Sequence, residues 1–141
     1  MIYSRDTILH IADKKSLFAQ FKDWLKPGGK IFITDYCAGP KESWTDEFAK
    51  YVEQRGYSLL TVPQYGDIFT QLGYSVVKAE DKTDLFVESL NKELKKMDQI
   101  KNEFVSEFTL EDFNYLVDGW KAKVVRCAEG NQKWGLFYCE K

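Results

Sequence analysis

The sequence predicts an α/β fold in which short apolar strands alternate with amphipathic helices. Two observations carry that prediction. The run Lys30-Ile31-Phe32-Ile33-Thr34-Asp35-Tyr36 is apolar on both faces of an extended chain, the pattern of a strand buried in a parallel sheet. On either side of it, apolar residues recur at helical spacing: Leu17, Phe18, Phe21, Trp24 and Leu25 before, and Trp44, Phe48, Tyr51, Val52 and Arg55 after.

The elements follow in order. Met1 to Ser4 is a short apolar stub, expected as a strand entered late. The first helix spans 13–25 and is stopped by Pro27-Gly28-Gly29. The strand at 30–36 ends before Gly39-Pro40, and the Trp44 to Arg55 pattern predicts a second helix. Tyr65 to Leu72 is a short third helix, stopped by Gly73, and Tyr74 to Ala79 a further strand. From Asp84, the residues Phe86, Leu90, Leu94, Met97, Lys101 and Phe104 mark one long helix. Thr109 caps the next helix, with Asp112 in the position of a capping box. After the Gly130-Asn131 turn, Trp134 to Cys139 is a last strand, expected antiparallel because no parallel crossover leads into it. No internal repeat interrupts this order.

Composition narrows the function. At 141 residues the chain suits one domain, and 44% apolar residues exclude a disordered chain. Net charge is −2 with both signs interspersed, so no basic face for nucleic acid is expected. No apolar run approaches the ~20 residues of a membrane span. The start lacks the apolar stretch of a signal peptide. Cys37, Cys127 and Cys139 are odd in number, far apart and without a CxxC pair, which predicts no metal site, no disulfide framework and a reducing, cytoplasmic setting. Aromatics reach 16%, enough to fill a core or line a ligand pocket. None of the nine glycines falls in a GxGxxG or GxGxG pattern, and Gly28-Gly29 precedes a strand instead of following one. A complete nucleotide cradle is therefore not expected within these residues.

Trp24-Leu25-Lys26-Pro27-Gly28-Gly29-Lys30-Ile31-Phe32-Ile33-Thr34-Asp35-Tyr36 resembles the helix, turn and fifth strand of class I methyltransferases. Tyr3-Ser4-Arg5-Asp6-Thr7-Ile8-Leu9-His10 resembles the segment after the fourth strand of one family among them, the phosphoethanolamine N-methyltransferases. Tyr51-Val52-Glu53-Gln54-Arg55-Gly56-Tyr57, Asp118-Gly119-Trp120-Lys121-Ala122-Lys123 and Gln132-Lys133-Trp134-Gly135-Leu136-Phe137 are similar to that family in the same order. The resemblance implies a partial class I, Rossmann-like sheet holding strands four to seven, with the last antiparallel. It identifies residues 1–141 as the C-terminal, substrate-binding part of a methyltransferase domain. It also implies S-adenosylmethionine-dependent N-methylation of phosphoethanolamine, or of its methylated intermediates, toward phosphocholine, within a longer or two-part enzyme. The family's first three strands, glycine-rich cofactor loop, ribose-binding acid and substrate-covering segment have no counterpart here. The chain alone is therefore not expected to methylate. Its expected partners are a phosphobase, an N-terminal half, or a second copy paired along the strand edge at residues 1–4. The alternative is a non-catalytic fragment or module that binds a phosphobase or assembles with a cofactor-binding chain.

The reaction defines what the site needs. A phosphobase ammonium has no lone pair until it loses a proton, and a histidine is suited to take it. His10 is the single histidine, placed just beyond a strand end, where ligands of open α/β sheets bind. A lone histidine is ordinarily a surface or core residue, but the surrounding motif implies the catalytic base or its partner. The phosphate needs cations and hydroxyl donors. Tyr51 and Arg55 lie four apart on one helix face. By resemblance, Tyr36, Tyr51, Arg55, Tyr57 and Lys123 form a phosphate cage, Asp6 joins the substrate pocket, and Arg5 touches cofactor or substrate and is assigned to the cofactor. Tyr51 as core packing, Arg55 and Lys123 as solvated charges, and Asp6 as a helix-start carboxylate are the plain readings without the resemblance. Asp35 fits a buried strand-end carboxylate with either role, structural or functional, and is left out of the candidate site.

Overall fold

The computed structural model describes residues 1–141, and its core is a four-stranded sheet in the order β1-β2-β4-β3. The strands are β1 (Ile2–Arg5), β2 (Lys30–Ala38), β3 (Ser75–Asp81) and β4 (Gln132–Glu140). β1 runs parallel to β2, and β4 lies antiparallel between β2 and β3, as its place after a tight turn predicts. The doubly apolar run at 30–36 is buried on both faces and extends two residues further, to Ala38.

One face of the sheet carries the core. Ile31, Ile33, Cys37, Phe137 and Cys139 project from β2 and β4 onto α1 (Lys14–Trp24) and α3 (Val62–Gln71). Asp13 caps α1 by accepting from the Ser16 amide at 2.9 Å, and the 3.6-residue period then delivers Phe18 and Phe21 to the sheet. Trp24 was expected on that same face. Instead its side chain lies at the helix end, 67% exposed, with its ring tilted against Phe21 at 5.8 Å. From α3, Tyr65 stacks on Phe137 at 4.0 Å and Phe69 stacks on Phe18 at 4.3 Å. Each such ring contributes roughly 1.5–3 kcal/mol by leaving water, so Phe137→Ala would cost about 3–5 kcal/mol. The start of α3 lies earlier than the apolar pattern predicts. A capping box between Thr61 and Gln64, followed by a first-turn proline, begins it at Val62.

The other face is covered by α4 (Thr83–Gln99) and α6 (Leu110–Ala128), with α5 (Lys101–Glu107) between them. The single long helix expected from Asp84 onward is two helices. The chain leaves helical geometry at Ile100 (φ −99°, ψ 10°), and the apolar spacing continues across the break. The capping box at the start of α6 forms as expected, with Thr109 and Asp112 each accepting from the other's amide. α2 (Asp46–Arg55) follows β2 beyond the sheet's carboxyl edge and buries Phe48 and Val52 against Ala38. Two features therefore bring α2 and α6 to that edge: the β2 crossing and the return of β4 antiparallel to it.

Candidate active site

The site begins where β1 ends. Asp6 adopts a left-handed backbone (φ 49°), a conformation that aspartate tolerates better than most residues. Its amide still donates to the Thr34 carbonyl at 2.8 Å, while its carboxylate accepts from the Trp134 indole N–H at 2.8 Å. Burial raises the Asp6 carboxyl above its ordinary range, and the Trp134 hydrogen bond, Arg5 and Lys123 hold it back. Arg5 points away. Its side chain is 74% exposed and its Nε stands 3.9 Å from the Asp6 carboxylate.

Tyr36 lies on the same sheet face as its antiparallel partner Trp134, and Phe86 of α4 packs against both rings. Lys123 on α6 donates from Nζ to the Tyr36 hydroxyl at 3.1 Å. An ammonium has no acceptor, so the Tyr36 hydroxyl accepts here and its own proton stays free to bond an anion. Burial pushes the Tyr36 phenol up to about 12, with Asp6 adding to the shift, so it is a donor at any physiological pH. Burial also lowers the Lys123 ammonium, helped by Arg126 and Arg55 and opposed by Tyr51 and Asp6.

The end of α2 supplies three more groups. Tyr51 and Arg55 share a helix face, with the guanidinium 5.8 Å from the Tyr51 ring centre. Gly56 then takes the left-handed conformation (φ 65°) that ends the helix, and its turn folds Tyr57 back so that its ring meets Tyr51 edge-on at 5.8 Å. Burial, then Tyr51, raises the Tyr57 phenol. The two phenols in turn raise the Arg55 guanidinium further. Tyr57 also meets the His10 ring, T-shaped, at 5.3 Å. His10 is exposed and ends a one-turn 3-10 helix over Ile8–His10.

A cavity of about 380 Å³ opens between the end of α2 and α6, lined by Tyr51, Arg55, Asp118, Trp120, Lys123 and Arg126 among others. A larger one of about 610 Å³ lies beyond Tyr57, walled by Gly39, Pro40, Trp44 and Leu59, and gathers no such set of cations. The fold thus brings together Asp6, Tyr36, Tyr51, Arg55, Tyr57 and Lys123, with His10 at their margin. Arg5 stands apart. Sequence reasoning missed Arg126, whose guanidinium carbon lies 3.9 Å from the Tyr51 ring centre, and Trp134, which holds Asp6. The spacing of Arg126, three residues after Lys123, was the available signal for the first. Asp35 is fully buried on the opposite sheet face, away from these residues.

The fit to a nucleotide-like cofactor is partial. β1 runs into Asp6 and a 3-10 turn, with no glycine-rich loop feeding a long helix. Arg5 is the one exposed cation there. These residues do not form a cradle by themselves.

A sheet in the order β1-β2-β4-β3 with an antiparallel β4, and a polar site at the carboxyl edge of its parallel pair, define a class I type methyltransferase fold. A family model described as "Methyltransferase domain" matches residues 1–79, more than half of the chain. The chain belongs to that methyltransferase family, and its whole length is similar to phosphoethanolamine N-methyltransferases. Phosphoethanolamine N-methyltransferase 1 of Zea mays is 53% identical over 141 residues, all of this chain and 28% of that protein. The Plasmodium falciparum phosphoethanolamine N-methyltransferase is 43% identical over 143 aligned residues, all of this chain and 54% of that protein. The structure of Haemonchus contortus phosphoethanolamine N-methyltransferase 2, in complex with phosphomonomethylethanolamine and S-adenosylhomocysteine, superimposes with a TM-score of 0.93. It is 36% identical and matches 99% of this chain and 32% of that one. The chain therefore spans about a quarter to a half of the length of these relatives. No helix is long and apolar enough to cross a membrane.

Proposed function

We propose that these 141 residues are the substrate-binding part of an enzyme that methylates phosphoethanolamine or its methylated intermediates, with S-adenosylmethionine as methyl donor. One observation carries the reading. Arg55 and Lys123 line one cavity with Tyr51, Tyr36 accepts from Lys123 and Tyr57 meets Tyr51, and neither cation pairs with a carboxylate of this chain. Such cations, next to a tyrosine hydroxyl with a free proton, suit a phosphate oxygen. The tyrosine faces suit the nitrogen as it becomes a fixed cation. Asp6 joins the ammonium end of the pocket, and His10, against Tyr57, takes the proton that frees the nitrogen lone pair. Arg5 is the contact we assign to the cofactor. The remaining walls of the cofactor site come from outside these residues, and the open β1 edge, where Tyr3 is 59% exposed, is the surface we assign to a further strand or a second copy. Three free, buried cysteines are in keeping with a reducing cytoplasm.

Binding of phosphoethanolamine to the 141-residue chain, followed by calorimetry, tests the pocket. Arg55→Ala and Lys123→Ala should each weaken it by roughly 1.5–3 kcal/mol, the worth of a hydrogen bond to a charged group. Affinities unchanged in both variants would refute the cage.

A further inference from the structure

Arg126 is a cation that the binding scheme so far leaves unused. It lies one helical turn beyond Lys123 on α6, and its guanidinium sits over the face of Tyr51 at 3.9 Å. Its Nε donates to the side-chain oxygen of Gln132 at 3.1 Å. Gln132 is 1% exposed and fixed on β4 opposite Ala38, and its amide nitrogen has no partner. The Tyr51 ring and Gln132 hold the guanidinium from two sides, and Gln132 consumes its inner N–H. The outer Nη edge keeps its donors, and no carboxylate of this chain stands within ion-pair distance. Glu129, one turn further along α6, instead accepts from Asn131 at 3.2 Å.

We propose that Arg126 is the third cation of the phosphate pocket and the residue that sets its preference for a dianionic phosphomonoester. This rests on the phosphobase reading above. Arg55, Lys123 and Arg126 line the same cavity with one carboxylate, Asp118. Three cations against one carboxylate give this end of the pocket an excess of positive charge, the sign that a phosphate requires. A free guanidinium edge presents parallel donors matched to two phosphate oxygens. Because Tyr51 and Gln132 already hold the side chain, little rotamer freedom remains to be lost on binding. Burial lowers the Lys123 ammonium first, and repulsion from Arg126 and Arg55 adds to it; an entering anion offsets that repulsion.

The test compares two ligands on the full 141-residue chain at pH 8, above the phosphomonoester's second pKa of about 6. Phosphoethanolamine is then a dianion at phosphate, while its O-methyl phosphodiester stays a monoanion. Arg126→Met should weaken phosphoethanolamine binding by about 10- to 100-fold and leave diester affinity within about threefold. Arg126→Lys, which keeps the charge and loses the fork, should fall between, and it serves alone if the Met variant does not fold. Equal losses for both ligands would mean that Arg126 only braces Tyr51, and would overturn the proposal. So would a loss of less than about threefold for phosphoethanolamine. Failure of the unaltered chain to bind phosphoethanolamine would sink the phosphobase reading itself, and this inference with it.

Discussion

Replacing Lys14 with methionine should separate His10 from Tyr57. Lys14 is 2% exposed, an uncommon state for a lysine. Its Nζ donates to the carbonyls of Ile8 at 3.0 Å, Ile11 at 2.7 Å and Ser58 at 2.6 Å. Ile8 and Ile11 bracket His10, and Ser58 follows Tyr57, so one ammonium ties the two segments together. The Ser58 amide adds a bond to the Leu9 carbonyl at 2.7 Å. Beneath them, Asp35 accepts from the Leu9 amide at 3.2 Å and from the Tyr65 hydroxyl at 3.2 Å, and its charge faces Lys14. Three hydrogen bonds from a charged donor would sum to well over 4 kcal/mol at ~1.5–3 kcal/mol each. The cost of burying the ammonium, which also lowers its pKa, offsets part of that. Methionine refills the methylene space but strands three carbonyls and the Asp35 charge, so the net loss should be about 3–5 kcal/mol. Urea denaturation gives the global number. Proton NMR gives the local one cleanly, because the chain has a single histidine. The nuclear Overhauser contacts between the His10 and Tyr57 rings, now 5.3 Å apart, should disappear in the variant. A loss under ~1 kcal/mol, or ring contacts of undiminished strength, would show that Lys14 does not hold this corner of the site.

Asp35 makes a pH-dependent contribution. Burial lifts its carboxyl from 3.8 to about 6, opposed by the Leu9 amide, Lys14 and Tyr65, so the folded chain holds a proton there that the unfolded chain releases. Its contribution is full below about pH 4 and is lost as pH rises through about 6, a change of roughly 3 kcal/mol. Unfolding free energies of wild type and Asp35→Asn at pH 4 to 7 should therefore converge or cross along that window; a constant difference would contradict the assignment. For His10, an enzyme that joins these residues to a cofactor-binding segment should lose about 10²–10⁴-fold in turnover on His10→Ala, with substrate affinity changed far less. Near-normal turnover would remove His10 from the proton step.

How much was legible in the sequence depended on whether a signal was local. Phe18 and Phe21 reach the core because a 3.6-residue period in one stretch of chain suffices to place them. The Thr109 to Asp112 cap and the antiparallel β4 were equally local. The break at Ile100 was not, since Met97, Lys101 and Phe104 keep helical spacing through it. Trp24 counted as apolar in the pattern, yet its position in the last turn of α1 leaves it largely in solvent. The α3 start is equally local, with Thr61, Pro63 and Gln64 supplying a capping box and a first-turn proline. Within the site, Tyr51 and Arg55 were placed together by helical spacing. Tyr36 and Lys123 were placed by family resemblance, and their contact spans 87 positions. Trp134 reaches Asp6 across 128 positions because β4 lies beside β2, which no spacing rule contains. Lys14 looks like any surface lysine at a helix start, and only the approach of Ser58 buries it.

The central claim is that this chain carries a pocket for a phosphobase, recognised first by its phosphate. Parallel titrations of the unaltered chain with phosphoethanolamine and ethanolamine, followed by NMR, test it most directly. The account predicts saturable binding of phosphoethanolamine, with shifts at Tyr36, Tyr51, Arg55, Tyr57 and Lys123, and weaker binding of ethanolamine by at least about tenfold, as loss of even one charged hydrogen bond requires. Equal affinity for the two ligands, or phosphoethanolamine shifts confined to residues outside the α2–α6 cavity, would contradict it.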